Sequence, residues 1–585
     1  MSREENLARP VSASFFRGLA GASLLLASGW LWLTVGQWPY EKVRALGNIV
    51  YNDYGYYRLP LALTEARWWM LRGLLLGAGL AGTALLAGQT PGHFLAELRA
   101  AGRRAVEHGR RWPRPSLGIA LGLLMLLITV RLWYLLAYPL STDEVGSYDF
   151  FVAHGPLAIS SFYPIPNNHI FYNLLAWPGF ILGLSPRWVM RLPTLVLGTA
   201  GTVAGYLLLA RVIGLRLATL VTGLVNLGPL WVYYGAAGRG YFLQLGLLQL
   251  GFFAVLELLR PATRYRRLAW AAFVGSSILG LYTIPTYAYP LLGLGLALAV
   301  GLARQQRLAE LVWAGSIIGT VSLLLYAPVG AVSGWNRLLG NRYVAAQRAA
   351  QFWPSFRAVL YETGAELFGP SLRLSGPVWL AAALLGGWAA RRLLPAGTRQ
   401  QAALVAWVLL ATPLLLMAAQ RVYMPTRALL YLTLAGYLLL VLLAARLAHR
   451  GPRWCRVVFR WPFIMAVVLG TGGFRLYQHQ PQLRYSRHET QLLTQAYEWL
   501  RQQPHPAARP ARIWLHAPLQ ALFFAHYNQI SPHPGPLLVT RNEPWPADAF
   551  DFIVLGNRFP APAAGQAAGY RRAYHDQLIT IYAHR

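Results

Sequence analysis

Apolar runs of eighteen or more residues recur along this chain, separated by short arginine-rich stretches. As a helix, each run is long enough to cross about 30 Å of hydrocarbon. They predict spans near 16–36, 68–88, 117–138, 193–211, 217–235, 242–260, 268–284, 287–303, 310–329, 377–391, 403–420, 428–446 and 461–476, about thirteen in all. The fold class is therefore an all-α polytopic membrane protein. Its first run exceeds the roughly 7–15 residues of a secretory signal core and is read as an uncleaved span.

Arginine-rich stretches set the orientation, because Lys and Arg beside spans stay on the cytoplasmic side. The main clusters lie at 96–116, 260–267, 391–400 and 446–460, with weaker ones at 211–216 and 304–307. Placing them inside puts the N-terminus in the cytoplasm and the C-terminus outside. The segment 168–184 resists a crossing: Trp177-Pro178-Gly179 interrupts it, and a full crossing would turn every later basic cluster outward. It is read as an interfacial or re-entrant helix. Outer loops then cover 37–67, 139–192, 236–241, 330–376 and 421–427. Two of these hold roughly 50 residues each, a length more often functional than connective.

After about 477 the pattern changes. "HETQLLTQAYEWLRQQ" has helical periodicity, "RIWLHA", "PLLVT", "FDFIVLGN" and "LITIYAHR" read as short strands, and "PLQALFFAHYNQ" as a helix. A small extracytoplasmic α/β domain is expected there. The chain thus divides into 1–115 (two spans and a basic cytoplasmic loop), 116–300 (a core with its large first outer loop, 139–192), 301–476 (the remaining spans with outer loop 330–376) and 477–585.

Composition agrees, with 56% hydrophobic and only 12% charged residues. The net charge of +32 is almost all arginine, Lys42 being the only lysine, and it is spread between apolar runs. That distribution argues against a nucleic-acid binder. A single cysteine, Cys455, excludes an intrachain disulfide framework.

Acidic residues number only 20, yet Asp143, Glu144 and Asp149 crowd "STDEVGSYDFF" after the third span. The plain account is a capping box, Ser141 with Glu144, with Asp143 favoured by the helix dipole. It leaves Asp149 unexplained. The sharper account takes Asp143 and Glu144 as catalytic: a carboxylate beside a low-dielectric wall gains proton affinity unless a cation opposes it, which suits a general base. Downstream, Asn167-Asn168-His169 opens the 168–184 helix, where Asn168 and His169 can bind a phosphate through the helix N-terminus or simply cap it. Cations on outer loops complete the candidate set: Arg239 with Tyr241, Arg342 with Tyr343 (beside Arg337 and Arg348), Arg421 and Arg427. An Arg fork matches phosphate oxygens, whereas interfacial anchoring is the plain reading of any one of them. No P-loop, HExxH, GxSxG or Cys/His metal spacing occurs. No cofactor is required by the sequence; a divalent metal on Asp143, Glu144 and His169 stays open, with metal ligands unassigned. The span centres read as free of Asp, Glu, Lys and Arg, against the mid-membrane charges of a transporter or flippase.

An acidic pair after a span, a Pro/Asn/His-started juxtamembrane helix, "VMRLPTLVLGTAGTVAGYLLLARVIG" and "LATLVTGLVNLGPLWVYYGAAGRGY" together resemble the glycosyltransferase-C superfamily. The likeness covers roughly 115–300. It is nearest to bacterial relatives of dolichyl-phosphate-mannose–protein mannosyltransferases, including lipid A aminoarabinose transferases and Rgt-type lipopolysaccharide sugar transferases. The resemblance implies an inverting transfer of a sugar from a polyprenyl-phosphate donor to a lipid, polysaccharide or protein acceptor. The site would lie on the non-cytoplasmic face of a bacterial inner membrane. Asp143 matches the catalytic aspartate of the first loop and Glu144 its neighbour. Two departures stand out: Asn167-Asn168-His169 replaces a charged pair, and "GRGYFLQL" has Gly240 and Tyr241 where relatives carry an acid. The competing readings are a lipid or sugar transporter or flippase, and a non-catalytic lipid-sugar-binding protein.

Overall fold

The structure is a computed structural model that describes residues 11–52, 56–58, 60–89, 92–110, 112–261, 263–340, 346–369, 375–504, 511–515, 518–531, 537–540, 550–558 and 569–585. In chain order its helices are α1 (Ala13–Leu31), α2 (Glu65–Leu86), α3 (Gly92–Arg110), α4 (Arg114–Ala137), α5 (Thr142–Phe150), α6 (Gly155–Ser161), α7 (Ile170–Ile181), α8 (Pro186–Ile213), α9 (Leu215–Asn226) and α10 (Pro229–Tyr234). They continue as α11 (Tyr241–Leu258), α12 (Arg266–Thr283), α13 (Ala288–Ala303), α14 (Leu308–Val332), α15 (Ala349–Phe368), α16 (Ser375–Leu393), α17 (Thr398–Gln420), α18 (Leu432–Arg450), α19 (Trp461–Gln502) and α20 (Pro518–Ile530). Single-turn helices at Tyr40–Arg44 and Trp335–Leu339 and a short hairpin, β1 (Val50–Asn52) with β2 (Tyr56–Arg58), lie in the loops.

Among the described residues nine helices are long and apolar enough to cross a membrane, and α19 with the bent turn before it makes a tenth. This is a multi-pass membrane protein. The other three predicted spans look different. The stretch 217–235 is two pieces, because Leu227-Gly228-Pro229 parts α9 from α10: proline lacks the N–H a continuous helix needs. α12 and α16 are single helices with arginine pairs at one end, Arg266-Arg267 and Arg391-Arg392, and are less apolar. The segment 168–184 forms α7, whose 12 residues reach only about 18 Å, too short to span.

One expectation fails inside the bundle. Arg131 lies within α4, buried, so the spans are not free of charge. It is held by neutral oxygens, Thr202 Oγ1 at 2.7 Å and Asn226 Oδ1 at 2.5 Å, with its guanidinium 4.4 Å from the Phe242 ring centroid. It supports packing of α8, α9 and α11 against α4 and, among the described residues, pairs with no acid.

The 42-residue α19 runs unbroken from the bundle into the C-terminal domain, so the boundary placed at 476–477 falls inside a helix. The domain's sheet has the order β4-β3-β5-β7-β6, from β3 (Arg512–Leu515), β4 (Leu537–Thr540), β5 (Phe552–Gly556), β6 (Tyr570–His575) and β7 (Ile579–His584). β3 pairs in parallel with β4 and β5, and β7 runs antiparallel to β5 and β6. Four strands coincide with the sequence reading. β6 does not: it is an edge strand whose Arg571 and Arg572 face solvent, so it carries no apolar alternation to read.

The N-terminal pair α1 and α2 packs backbone to backbone. A Cβ on Gly82 would sit 2.8 Å from Leu25 N, and one on Gly21 2.8 Å from Gly82 O. Gly82→Val should force the helices apart at a cost of about 1–3 kcal/mol, seen as a lower melting temperature in detergent. Gly29→Val, whose Cβ would enter open space, should leave it unchanged.

Candidate active site at the end of the bundle

The helix that carries the acidic cluster, α5, begins as the sequence suggested. Ser141 Oγ accepts from Glu144 N at 3.3 Å, and Glu144 Oε2 accepts from Ser141 N at 2.9 Å. Glu144 does more than cap. Its side chain has no exposed surface and faces Arg191 of α8 in a two-point pair, Nε to Oε1 at 2.7 Å and Nη2 to Oε2 at 2.8 Å. Gly238 N donates to Oε1 at 2.6 Å. Arg191 spends its remaining donors on carbonyls at the end of α4: Leu135 O at 2.7 Å, Tyr138 O at 2.9 Å and Pro139 O at 2.7 Å. Burial alone would raise the Glu144 carboxyl; the Arg191 charge and hydrogen bonds from Arg191, Ser141 and Gly238 outweigh it and hold the group below its usual value. No substrate can reach this carboxylate. The expected catalytic Glu144 is a fastener between α4, α5, α8 and the loop before α11.

Asp143 turns the other way. Its side chain is 46% exposed and lies 3.6 Å from Arg239 Nη2. It lines a cavity of about 180 Å³ together with Tyr163, Asn167, His169, Arg239, Tyr241 and Arg427. Ile165, Pro166, Ile284, Pro285, Thr286, Leu338, Pro425 and Ala428 complete the wall. These residues come from loops 139–192, 236–241 and 330–376, the α12–α13 turn and the segment after 420. The sequence placed most of them in outer loops, and the structure gathers all of them around one cavity.

Arg239 is nearly fully buried. Its Nη1 donates to Ser147 Oγ at 2.8 Å and to Asp143 O and Asn167 O, both at 3.3 Å. Its Nε meets no acceptor among the described residues. His169, also buried, accepts from Gly240 N at its Nδ1 (3.0 Å) and sets its Nε2 3.2 Å from Arg239 Nη2. A neutral imidazole has one acceptor nitrogen. With Nδ1 taken by Gly240, Nε2 carries its proton toward a guanidinium that can only donate; the other tautomer moves the same conflict to Gly240. Burial first, and then the charges of Arg239 and Arg427, keep the ring well below its usual pKa and therefore neutral. Two donors thus converge beside Asp143 without an acceptor between them, an arrangement that an oxyanion completes. Tyr241 lies edge-on to His169, 5.0 Å between ring centroids, and lines the cavity with Arg427.

The other candidates separate clearly. Asn168 points inward, donating to Ile159 O at 2.8 Å and Phe162 O at 3.1 Å and accepting from Asn173; its neighbour Asn167 lines the cavity instead. Arg421 closes α17 with a left-handed φ of +54° and is exposed outside the cavity. Arg342 and Tyr343 lie outside the described residues. Leu338, not Arg337, reaches the wall. Among the described residues no three His, Cys, Asp or Glu side chains gather as a metal cluster.

The sequence reading missed Tyr163 and above all Arg191, whose "RLP" context was visible without any sign of its partner. Position 240 has no room for a side chain: a Cβ there would lie 2.6 Å from Thr283 Cγ2 and 3.1 Å from His169 Nδ1. Asp149 also finds its partner here, His526 Nδ1 of α20 at 2.8 Å.

No family model matches the sequence, and no curated protein matches it. Solved structures do. ArnT from Cupriavidus metallidurans bound to undecaprenyl phosphate aligns over 80% of this chain and 98% of its own, at 12% identity and a TM-score of 0.51. The apo state of the same protein aligns over 79% and 98%, at 12% identity and 0.52. The arabinosyltransferase EmbB from Mycobacterium smegmatis aligns over 70% of this chain and 45% of its own at 13% identity, but its TM-score of 0.33 carries no weight. At these identities the ArnT matches establish the fold alone: this chain has the membrane architecture of ArnT.

Two outcomes follow from this geometry. Arg191→Ala strands a buried carboxylate and should cost about 3–5 kcal/mol, while Arg191→Met with Glu144→Met should cost less than the single change, read by thermal unfolding. His169 has a depressed folded pKa, so it takes up a proton on unfolding below about pH 6.5; stability should fall as pH drops through that value, and His169→Gln should flatten the slope.

Proposed function

We propose that the protein is an integral-membrane glycosyltransferase. It moves a sugar from a polyprenyl-phosphate carrier to a lipid, glycan or protein acceptor on the non-cytoplasmic face, with inversion at the anomeric carbon. The observation that carries this reading is the pair of buried donors, His169 Nε2–H and Arg239, meeting beside the half-exposed carboxylate of Asp143. The ArnT fold, and the undecaprenyl phosphate bound in one of those ArnT structures, support the same choice of ligand for this chain.

The chemistry follows from the membrane boundary. A prenyl tail stays in hydrocarbon while its phosphate sits at the headgroup plane, so the cations and the base must come from loops at that plane. In the reaction the acceptor oxygen or nitrogen attacks C1 of the sugar as its proton passes to an Asp143 carboxylate oxygen. The bond from C1 to the phosphate oxygen breaks, and polyprenyl phosphate leaves with the electron pair. Arg239, His169 Nε2–H and the Arg427–Tyr241 pair receive the charge that develops on it. In many enzymes, fixed donors aimed at such charge account for most of the rate acceleration. Neutral His169 suits this role, since it donates without adding a third cation beside Asp143. Glu144 and Arg191 set the angle at which α5 presents Asp143.

In lipid nanodiscs, undecaprenyl phosphate should bind the native protein and lose affinity for Arg239→Gln. Asp143→Asn should keep lipid binding while sugar transfer from undecaprenyl-phosphate-linked donors falls by about 10²–10⁴-fold. Undiminished transfer by Asp143→Asn would remove the base, and native affinity in Arg239→Gln would remove the phosphate site.

A further inference from the structure

The nine-residue α5 serves two bodies at once. Residues four apart share a helix face. On one face Asp143 lines the cavity and Ser147 Oγ holds Arg239 Nη1 at 2.8 Å. On the opposite face Val145, fully buried, belongs to the core of the C-terminal domain with Leu493, Tyr497, Ile513 and Phe524. One turn further, Asp149 Oδ1 meets His526 Nδ1 of α20 at 2.8 Å, with both side chains almost wholly shielded from solvent. The Tyr148 ring closes edge-on over the same imidazole, 5.8 Å between centroids. The two partners are 377 positions apart.

We propose that the C-terminal α/β domain is a positioning element of the site, with His526 clasping Asp149 so that α5 holds Asp143 and Ser147 toward the cavity. This rests on the function proposed above and extends it to residues that touch neither donor nor acceptor. Glu144 ties α5 to the membrane bundle through Arg191; Asp149 ties it to the domain. With only the first tie, the short helix keeps its start but is free to swing its end, and Ser147 moves off Arg239. A buried Asp149 without a partner would also have to recruit water or a proton, which loosens the contact further. The acidic cluster therefore contains three carboxylates with three tasks.

The test uses the full chain in nanodiscs with two readouts. In a Cys455→Ser background, a nitroxide at Asp143→Cys should gain mobility when His526 becomes Ala and regain its native spectrum with His526→Gln, whose amide can donate to Asp149. Undecaprenyl phosphate affinity, measured with Asp143 intact, should fall about tenfold in His526→Ala and recover to within about threefold in His526→Gln. Asp149→Ala with His526→Ala should be no worse than either alone. An unchanged label spectrum in His526→Ala overturns the clasp, and so does a Gln variant as impaired as Ala at equal melting temperature. If the native protein fails to bind undecaprenyl phosphate, the lipid reading falls, and the label spectrum still decides the clasp.

Discussion

The pairing of Glu144 with Arg191 is the contact from which the site's geometry follows. Both side chains are removed from water, which costs several kcal/mol per ion unless the charges meet well and their remaining hydrogen-bonding positions are filled. Here they are filled. Glu144 accepts from Arg191, Ser141 and Gly238, and Arg191 gives its other donors to carbonyls at the end of α4. The pair fixes the end of one span, the start of another and both loops that bring charge to the cavity. Gly238 contributes because nothing larger fits: a Cβ there would lie 2.7 Å from Met190 O.

On that frame the cavity collects donors rather than acceptors. Arg239, Arg427, Tyr241 and His169 surround one exposed carboxylate, and burial keeps His169 uncharged. Arg239 is itself held by Ser147 Oγ, Asp143 O and Asn167 O, which fixes where its remaining donors point.

The spanning helices were legible because hydrophobic length is an additive signal, readable without tertiary structure. That Asp143, His169, Arg239, Tyr241 and Arg427 belong together around one cavity was legible because polar residues are scarce at such boundaries. What failed depended on direction. Adjacent residues point opposite ways, so Asp143 and Glu144, like Asn167 and Asn168, received one reading and have different surroundings. Arg191 and His526 were hidden because their partners are 47 and 377 positions away. β6 and the break at Gly228-Pro229 escaped for a local reason: one lacks apolar alternation, and the other sits in a run apolar throughout.

The uninterrupted α19 has a mechanical consequence. Its 42 residues extend about 63 Å, of which about 30 Å suffices for hydrocarbon, leaving roughly half as a stiff mast. A flexible linker would let the sheet roam over the bilayer. A mast instead holds it at one elevation, so α20 stays within reach of α5 and His526 meets Asp149 without a search.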